Sequence, residues 1–218
     1  MTQYKTDHAF TGTLTGGALE PTFSGALSFM RRRFTRDISN ADVVIWGVPF
    51  DTLPLLRAHR DKHGPLALVQ FDAHQDTWDA GPDGFSHGSF VSEAVREGLI
   101  DVDHSLQIGI RTIAPKTCGL NIIDAYRCHE IGTSGMVDAI RARVGAKPAY
   151  LTLDIDVLDP AFAPGTGTPV SGGLSSAQLL MTLDKIMDLD WRGMDVVEVA
   201  PAYDHADITA IAAATTVQ

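Results

Sequence analysis

Short apolar runs alternate along the chain with segments of helical pattern. The clearest run is Leu66–Phe71, in which Gln70 is the only polar residue. A run of this kind predicts a strand that is buried on both faces. The same pattern predicts further strands at residues 42–48, 105–111, 148–156 and 195–199, and a short one at 121–123.

Helical patterns lie between these runs. Residues 52–63 predict a helix that Thr52 can cap and that Gly64 ends. Residues 112–130 predict mostly loop, and further helices are predicted at 89–97, 134–144, 175–189 and after Asp204. Strands separated by helices imply right-handed crossovers, so the predicted fold class is α/β, a three-layer α/β/α arrangement with a mainly parallel sheet.

Composition narrows the class of protein. The 218 residues are 44% hydrophobic and 20% charged, as expected for one globular domain over residues 1–218. No apolar run approaches the length of a membrane span, and the polar first residues do not resemble a signal peptide, so we expect a cytoplasmic protein. The net charge of -10 disfavours nucleic acid and anionic membranes and is compatible with a cationic ligand.

Candidate metal ligands follow the run that ends at Phe71. Asp72, His74 and Asp76 occupy positions i, i+2 and i+4, and in extended backbone this spacing turns all three side chains to one face. Two uncompensated carboxylates packed this closely would repel each other. A divalent cation would use both of their charges and the neutral imidazole. The alternative is a capped strand end whose acidic side chains are simply solvated.

A second strand repeats this design, because Asp154 and Asp156 end the run that starts at Pro148. Parallel sheets bind ligands beyond the carboxyl ends of their strands, which is where all five side chains are predicted. Four carboxylates and one imidazole suit Mn²⁺ or Mg²⁺ better than a structural zinc. A pair of ions about 3.5–4 Å apart could share a water and make it nucleophilic, which predicts metal-assisted hydrolysis.

Four motifs then connect these ligands to a family. They are Phe71–Asp76, Ser86–Phe90, Leu153–Pro169 with Gly172 and Gly173, and Asp195–Pro201 followed by Asp204. In this order the sequence resembles the ureohydrolases, the arginases and agmatinases, whose members hydrolyse a guanidino group to urea and an amine. The form of the second motif and the segment from Pro201 onward are more similar to agmatinases.

The resemblance implies roles for the predicted metal ligands. Asp72 and Asp154 would bridge two Mn²⁺ ions. Asp76 would complete the ligands of one ion, and His74 with Asp156 those of the other. The resemblance also implies that a metal-bridging hydroxide attacks agmatine or a related guanidino compound, and that the protein is a homo-oligomer, a hexamer or a trimer.

The resemblance implies catalytic roles for three residues. One is Asp76, which is also a predicted metal ligand, and the others are His87 and Glu198. His87 would shuttle a proton to the leaving amine, a step that imidazole suits because it titrates near neutral pH. Glu198 would pair with the guanidinium, whose planar fork favours a carboxylate. The alternatives are a solvated loop histidine and a buried acid that the backbone satisfies.

The sequence departs from the family in one place. Ureohydrolases have a long segment that ends in a Gly-Gly-Asp-His motif, whose histidine is a further metal ligand. Here Asp51 runs directly into Thr52 and the motif is absent, and the chain also stops before the family's final helix would end. We favour omission of residues near 51–52, because a true deletion would expose apolar surface and cost stability.

If the deletion is real, one metal lacks its imidazole. A single-metal protein or a non-catalytic metal-binding subunit would then be the alternative to an amidinohydrolase. Within enzymes, guanidinobutyrase activity, arginase-like activity and a one-metal deacetylase-like hydrolase are the alternatives. As partner we expect a small cationic guanidino substrate, and neither a nucleic acid nor a membrane.

Overall fold

The computed structural model describes residues 35, 37–47, 53–81 and 86–217. The chain divides into two units, Met1–Phe50 and Asp51–Gln218. The described residues of the first unit form only turns and irregular backbone, in which Oδ1 of Asp37 accepts hydrogen bonds from the N–H and the hydroxyl of Ser39. The second unit carries the sheet and the helices described below.

The predicted strand at residues 42–48 is wrong for residues 42–47. These residues make no strand pairing with any described residue, and the side chains of Val43 and Trp46 are 80% and 77% exposed. An apolar run becomes a strand only where a neighbour supplies the inter-strand hydrogen bonds. Val48, the predicted cap Thr52 and the junction at 50–52 lie outside the described residues.

Five strands form one sheet in the described chain: β1 Ala67–Phe71, β2 Leu106–Ile110, β3 Asn121–Asp124, β4 Ala149–Asp154 and β5 Trp191–Val197. The strand order is β3-β2-β1-β4-β5, and every pair is parallel. The predicted parallel sheet is therefore confirmed.

Five α-helices connect the strands in the described residues: α1 Leu53–His63, α2 Phe90–Arg96, α3 Ala125–Val144, α4 Ser176–Asp184 and α5 Ile208–Thr216. Single turns of 3-10 helix occur at His87–Ser89, Val102–His104, Ile155–Val157 and Pro201–Tyr203. None of the described helices is long and apolar enough to cross a membrane.

The expectation that residues 112–130 are mostly loop is wrong at its end. Helix α3 begins at Ala125, where the side chain of Asp124 accepts a hydrogen bond from the N–H of Arg127. Gly132 interrupts the helix with φ 61° and ψ -173°, and the part after it matches the helix predicted at 134–144. In the earlier part only Ala125 and Cys128 are buried, and two such residues give no clear apolar periodicity.

The sheet separates two hydrophobic clusters, because successive strand residues point to opposite faces. Val69 lies in a cluster with Ile140 of α3, and α4 and α5 contribute to the same cluster. Leu68 lies in the other cluster with Leu53 of α1 and Phe90 of α2. Helices thus cover both faces, as the predicted three-layer α/β/α architecture requires.

The order of the strands locates the ligand-binding edge. From β1 the chain runs outward to β2 and β3, and it then returns to place β4 and β5 on the other side of β1. Open parallel sheets bind ligands at the carboxyl ends of the strands where the order reverses in this way. In this sheet that point lies between β1 and β4, whose residues Phe71 and Leu153 are paired.

Candidate active site

Two aspartates stand at the carboxyl ends of β1 and β4. Asp72 follows β1, and its Oδ1 accepts a hydrogen bond of 2.6 Å from the N–H of His74. Asp154 ends β4, and its Oδ1 accepts a hydrogen bond of 2.9 Å from the N–H of Asp156. Each carboxylate closes an Asx turn onto the residue two positions later.

The reason given above for the convergence of these side chains is therefore wrong. Extended backbone does not continue to Asp76, because β1 ends at Phe71 and Asp76 has a left-handed φ of 52°. Asp154 and Asp156 do not share a strand face either, because residues 155–157 form a 3-10 turn. The side chains are brought together by turns after the strands, and not by a common strand face as predicted.

His74 and Asp156 link the two strand ends. Nδ1 of His74 lies 3.0 Å from Oδ2 of Asp156 and 3.5 Å from Oδ1 of Asp72. The other oxygen of Asp156, Oδ1, accepts a hydrogen bond of 3.0 Å from the N–H of Ala73. One ligand atom from each of Asp72, His74 and Asp156 lies within 4.8 Å of the others.

A pocket of about 300 Å³ opens above these strand ends. Six of the seven predicted site residues line it: Asp72, His74, Asp76, His87, Asp154 and Glu198. Asp156, the seventh, lies behind His74 and is 1% exposed. The rest of the lining comes from Trp78, Gly88, Phe90, Thr152, Thr168 and Val197.

His87 and Glu198 both line this pocket, and their side chains contact each other. Nδ1 of His87 lies 2.9 Å from Oε1 of Glu198. His87 belongs to the 3-10 turn His87–Ser89, and Glu198 follows β5 with a left-handed φ of 61°. A non-glycine residue in this conformation is strained, and such strain clusters at functional sites.

Crowding of the carboxylates shifts their pKa values. Burial raises the pKa of Asp72 to about 6, with a contribution from Asp156. Burial and the charge of Asp72 raise the pKa of Asp76 to about 10, and burial with the same neighbour raises the pKa of Asp154. Burial acts in the same direction on Asp156, but hydrogen bonds from His74 and Ala73 outweigh it, so its pKa is lowered.

The donor set fits a divalent cation. Contacts with Asp156 and Asp72 raise the pKa of His74 to about 10, so without a metal a protonated imidazole supplies positive charge to the cluster. The buried Oδ2 of Asp156 lies 3.0 Å from Nδ1 of His74 and has no further partner among the described residues. A hard cation would neutralise the acids and use this oxygen, and oxygen ligands with one imidazole suit Mn²⁺ or Mg²⁺.

The sequence of the second unit decides the family. Residues 49–218, which include every site residue described above, match the model of the arginase family. This match covers more than half of the chain. The chain belongs to the arginase family.

Individual members of the family are also similar to this arginase-family chain. An agmatinase from Chromobacterium violaceum is 37% identical over 287 positions, which cover 92% of this chain and 89% of that protein. An agmatinase from Escherichia coli is 53% identical over 169 residues, 78% of this chain but 55% of that protein, so the chain spans about half of its length. The crystal structure of a hypothetical agmatinase from Burkholderia thailandensis matches with a TM-score of 0.91 and 38% identity, covering 96% and 94% of the two chains.

These matches confirm the predicted arginase-like fold and the agmatinase-type resemblance. They also bear on the absent Gly-Gly-Asp-His motif. The alignment with the Chromobacterium violaceum protein has 287 positions, more than the 218 residues of this arginase-family chain. The relative therefore has residues without a counterpart here. The predicted position of the missing segment, near residues 51–52, lies outside the described residues.

Sequence reasoning missed a residue that holds the site together. The guanidinium of Arg111, which follows β2, donates hydrogen bonds to the backbone oxygens of Asp156, Val170 and Gly109 at 2.6, 2.7 and 3.0 Å. It thereby ties the end of β2 to the loop that carries Asp156. The position of an arginine at the carboxyl end of a predicted strand was the available signal.

Proposed function

We propose that the protein is a metal-dependent amidinohydrolase that cleaves agmatine, or a closely related guanidino compound, to urea and an amine. The observation that carries the proposal is that the cluster of potential metal ligands and the His87–Glu198 pair line the same pocket. Within the pair, Nδ1 of His87 lies 2.9 Å from Oε1 of Glu198. Relatives named agmatinase support this substrate class.

Five side chains would hold the metal, which we propose to be Mn²⁺. Asp72 and Asp154 would each contact two ions, Asp76 would complete one ligand set, and His74 with Asp156 the other. A bound divalent cation would lower the pKa of a water molecule and so supply a nucleophile at neutral pH. The Asx turns of Asp72 and Asp154 fix one oxygen of each carboxylate.

Glu198 and His87 would handle the substrate. The carboxylate of Glu198 would accept hydrogen bonds from the planar guanidinium and hold its carbon above the metal cluster. His87 is 57% exposed in its side chain and contacts Glu198, so it can reach both the reacting group and solvent. It would deliver a proton to the amine as the C–N bond breaks, because an amine leaves more readily when protonated.

Charge agrees with a small cationic substrate. The chain carries a net charge of -10, and four carboxylates line the pocket. An acidic pocket attracts a guanidinium and a distal ammonium group. We also propose that the protein is cytoplasmic and a homo-oligomer, hexamer or trimer, as its family resemblance implies.

A non-catalytic metal-binding subunit is a second candidate. The observation that favours it is the absence of the Gly-Gly-Asp-His motif from the 218 residues. The ion held by Asp72, Asp76 and Asp154 would lack an imidazole ligand. Metal analysis separates the two candidates, because two Mn²⁺ per chain with urea release supports the enzyme, whereas one Mn²⁺ without urea release supports the subunit.

The activity test compares guanidino substrates. Metal-free protein is loaded with Mn²⁺, and urea is measured with agmatine, guanidinobutyrate and arginine. We expect agmatine to be preferred, and we expect His74→Ala and Glu198→Gln to reduce urea release by at least about a hundredfold. His205→Ala, an exposed histidine outside the pocket, serves as the matched control and should keep wild-type activity. Absence of urea with every compound would contradict the proposal.

A further inference from the structure

Two buried glutamines lie beside each other behind the candidate metal site. Gln70 of β1 and Gln107 of β2 are register partners, and their side chains are 1% and 0% exposed. All residues of both strands are buried. A buried amide costs free energy unless it is hydrogen-bonded, so the partners of this pair need an explanation.

The hydrogen bonds of the pair have a fixed direction. Nε2 of Gln107 donates to the backbone oxygen of Gln75 at 2.6 Å and to Oε1 of Gln70 at 2.7 Å. A backbone oxygen can only accept, so the atom of Gln107 that faces Gln75 must be the nitrogen. The atom of Gln70 that faces this nitrogen must then be its oxygen.

The nitrogen of Gln70 is consequently turned toward the metal-type cluster. Nε2 of Gln70 lies 2.7 Å from Oδ2 of Asp72 and 3.4 Å from Oδ2 of Asp76. One amide group therefore contacts two carboxylates that would otherwise repel each other. Gln70 contacts Oδ2 of Asp72, whereas the N–H of His74 donates to Oδ1 in the Asx turn.

Stability alone does not account for this arrangement. Oε1 of Gln107 is buried and has no hydrogen-bond partner among the described residues. Replacing both members of a buried polar pair by apolar residues of similar shape is often neutral or stabilising. Two leucines would fit the apolar surroundings of these two strands, but they would leave Oδ2 of Asp72 without the donor that Gln70 supplies. The amides are therefore explained better by what they do to Asp72 and Asp76.

We propose that Gln107 and Gln70 form a positioning relay, which runs from the backbone of Gln75 to the carboxylates of Asp72 and Asp76. The relay holds both carboxylates in the orientation that a divalent cation needs. It rests on the proposed function, because it supposes that these residues bind a metal. Neither glutamine touches the substrate or the metal, and both act through the carboxylates.

The test measures Mn²⁺ affinity and stability separately. Full-length metal-free protein is titrated with Mn²⁺ by calorimetry, and its melting temperature is measured with chelator present, for Gln70→Leu, Gln107→Leu and the double variant. We expect Gln70→Leu to weaken Mn²⁺ binding at least about tenfold, as loss of a group that orients metal ligands does. Gln107→Leu should weaken it less, and the double variant should stay within about twofold of Gln70→Leu, because Gln107 acts through Gln70.

Stability is expected to respond differently. The double variant should lose some stability in chelator, because the backbone oxygen of Gln75 and Oδ2 of Asp72 lose the donors that the pair supplies. Gln178→Leu is the matched control, because Gln178 accepts a hydrogen bond of 2.9 Å from the N–H of Ser175 at the start of α4, away from the pocket. This control should lower the melting temperature and leave Mn²⁺ affinity unchanged.

Each contrary outcome has a distinct meaning. Equal Mn²⁺ affinity in Gln70→Leu, strictly additive losses in the double variant, or a wild-type protein that binds no Mn²⁺ would overturn the relay. Urea release by the wild type together with unchanged affinity in the variants rejects the relay and keeps the proposed function. Weakened Mn²⁺ binding in the variants without urea release from any compound keeps the relay and rejects the proposed function.

Discussion

Arg111 is a cation that contacts backbone oxygens rather than carboxylate side chains. Its guanidinium bonds the oxygens of Asp156 and Val170 on one side and of Gly109 on the other. Burial lowers the pKa of Arg111, while Asp156 and other nearby carboxylates oppose this effect. A rigid fork with five donors can serve several oxygens at once, whereas an ammonium group cannot reach the same set.

Arg111→Lys should therefore destabilise the protein. We expect a loss of about 2–4 kcal/mol in the free energy of unfolding, because several buried carbonyl groups lose their donor. Denaturant unfolding in chelator measures this loss without the metal. Arg192→Lys is the control: Arg192 pairs with Asp190 at 2.6 Å on the surface, and its change should stay within about 0.5 kcal/mol. Equal, small effects of the two substitutions would contradict the role given to Arg111.

Glu198 combines a proposed function with backbone strain. A left-handed conformation costs most residues about 1–2 kcal/mol, and asparagine tolerates it better than glutamate. Glu198→Asn should thus leave the melting temperature unchanged or raise it, while urea release from agmatine falls at least about a hundredfold because the longer carboxylate is lost. Asp195→Asn, a carboxylate within β5 itself, tests whether loss of a neighbouring acid has the same effect. A lower melting temperature in Glu198→Asn would mean that the residue is structural.

The sequence predicts which side chains gather at the candidate site, but it does not predict the turns that gather them. Asp72 and Asp154 come at the ends of apolar runs, and a second potential ligand follows each of them two positions later, which is the pattern on which the prediction rests. Their convergence was attributed to extended backbone, because sequence spacing alone does not distinguish a strand from an Asx turn. Gln70 and Gln107 have no signal at all in the sequence, since a single polar residue in an apolar run predicts only an interruption.

Helices and strands differ in how well their limits could be predicted. Strands β1 and β4 are buried throughout and mostly apolar, and their predicted limits agree with the structure within two residues. Helix α3 was predicted only after Gly132, because its first two turns are partly exposed and carry no apolar periodicity. Strand β5 begins at Trp191, four residues earlier than predicted, because an edge strand alternates in exposure and lacks a continuous apolar run.

Gly132 offers a test at the scale of this helix. Its φ of 61° and ψ of -173° belong to a region that only glycine adopts readily. Outside the adjacent residues and the nearby backbone of the helix itself, no described atom lies within 4 Å of the position that a Cβ would take, so the expected effect of Gly132→Ala is backbone strain. We expect a loss of about 1–3 kcal/mol in the free energy of unfolding, measured by denaturant titration. Gly81→Ala, at a glycine without positive φ and with open space, should have little effect.

At the scale of the whole molecule, the fold class followed from the alternation of strands and helices, but the strand order did not. Alternation predicts parallel pairing, and it does not state that β4 returns to the free side of β1. This return creates the crevice between Asp72 and Asp154 in which the predicted ligands meet. The segment at 42–47 shows the opposite limit, because its pattern predicts a strand without a described partner.

The acid cluster makes the stability of the whole protein depend on pH and on metal. Burial raises the pKa of Asp72 to about 6 and of Asp76 to about 10, above the ordinary value of 3.8. The folded state therefore binds more protons than the unfolded chain, and stability falls as pH rises through these pKa values. His74 acts in the same direction, because its contact with Asp156 raises its pKa to about 10. The stability that this contact gives is fully present below about pH 6.5 and is lost as the pH rises through about 10.

Metal-free protein should accordingly melt at a lower temperature at about pH 9 than at about pH 6, and saturating Mn²⁺ should flatten or reverse this trend. The reversal follows because Mn²⁺ binds the deprotonated ligands, so its affinity rises as the protons leave. Calorimetric melts with chelator or with Mn²⁺ at the two pH values measure both trends. Asp76→Asn removes one of the shifted groups and should reduce the pH dependence in chelator. A metal-free protein that is more stable at the higher pH would contradict the assignment of these acids to one desolvated cluster.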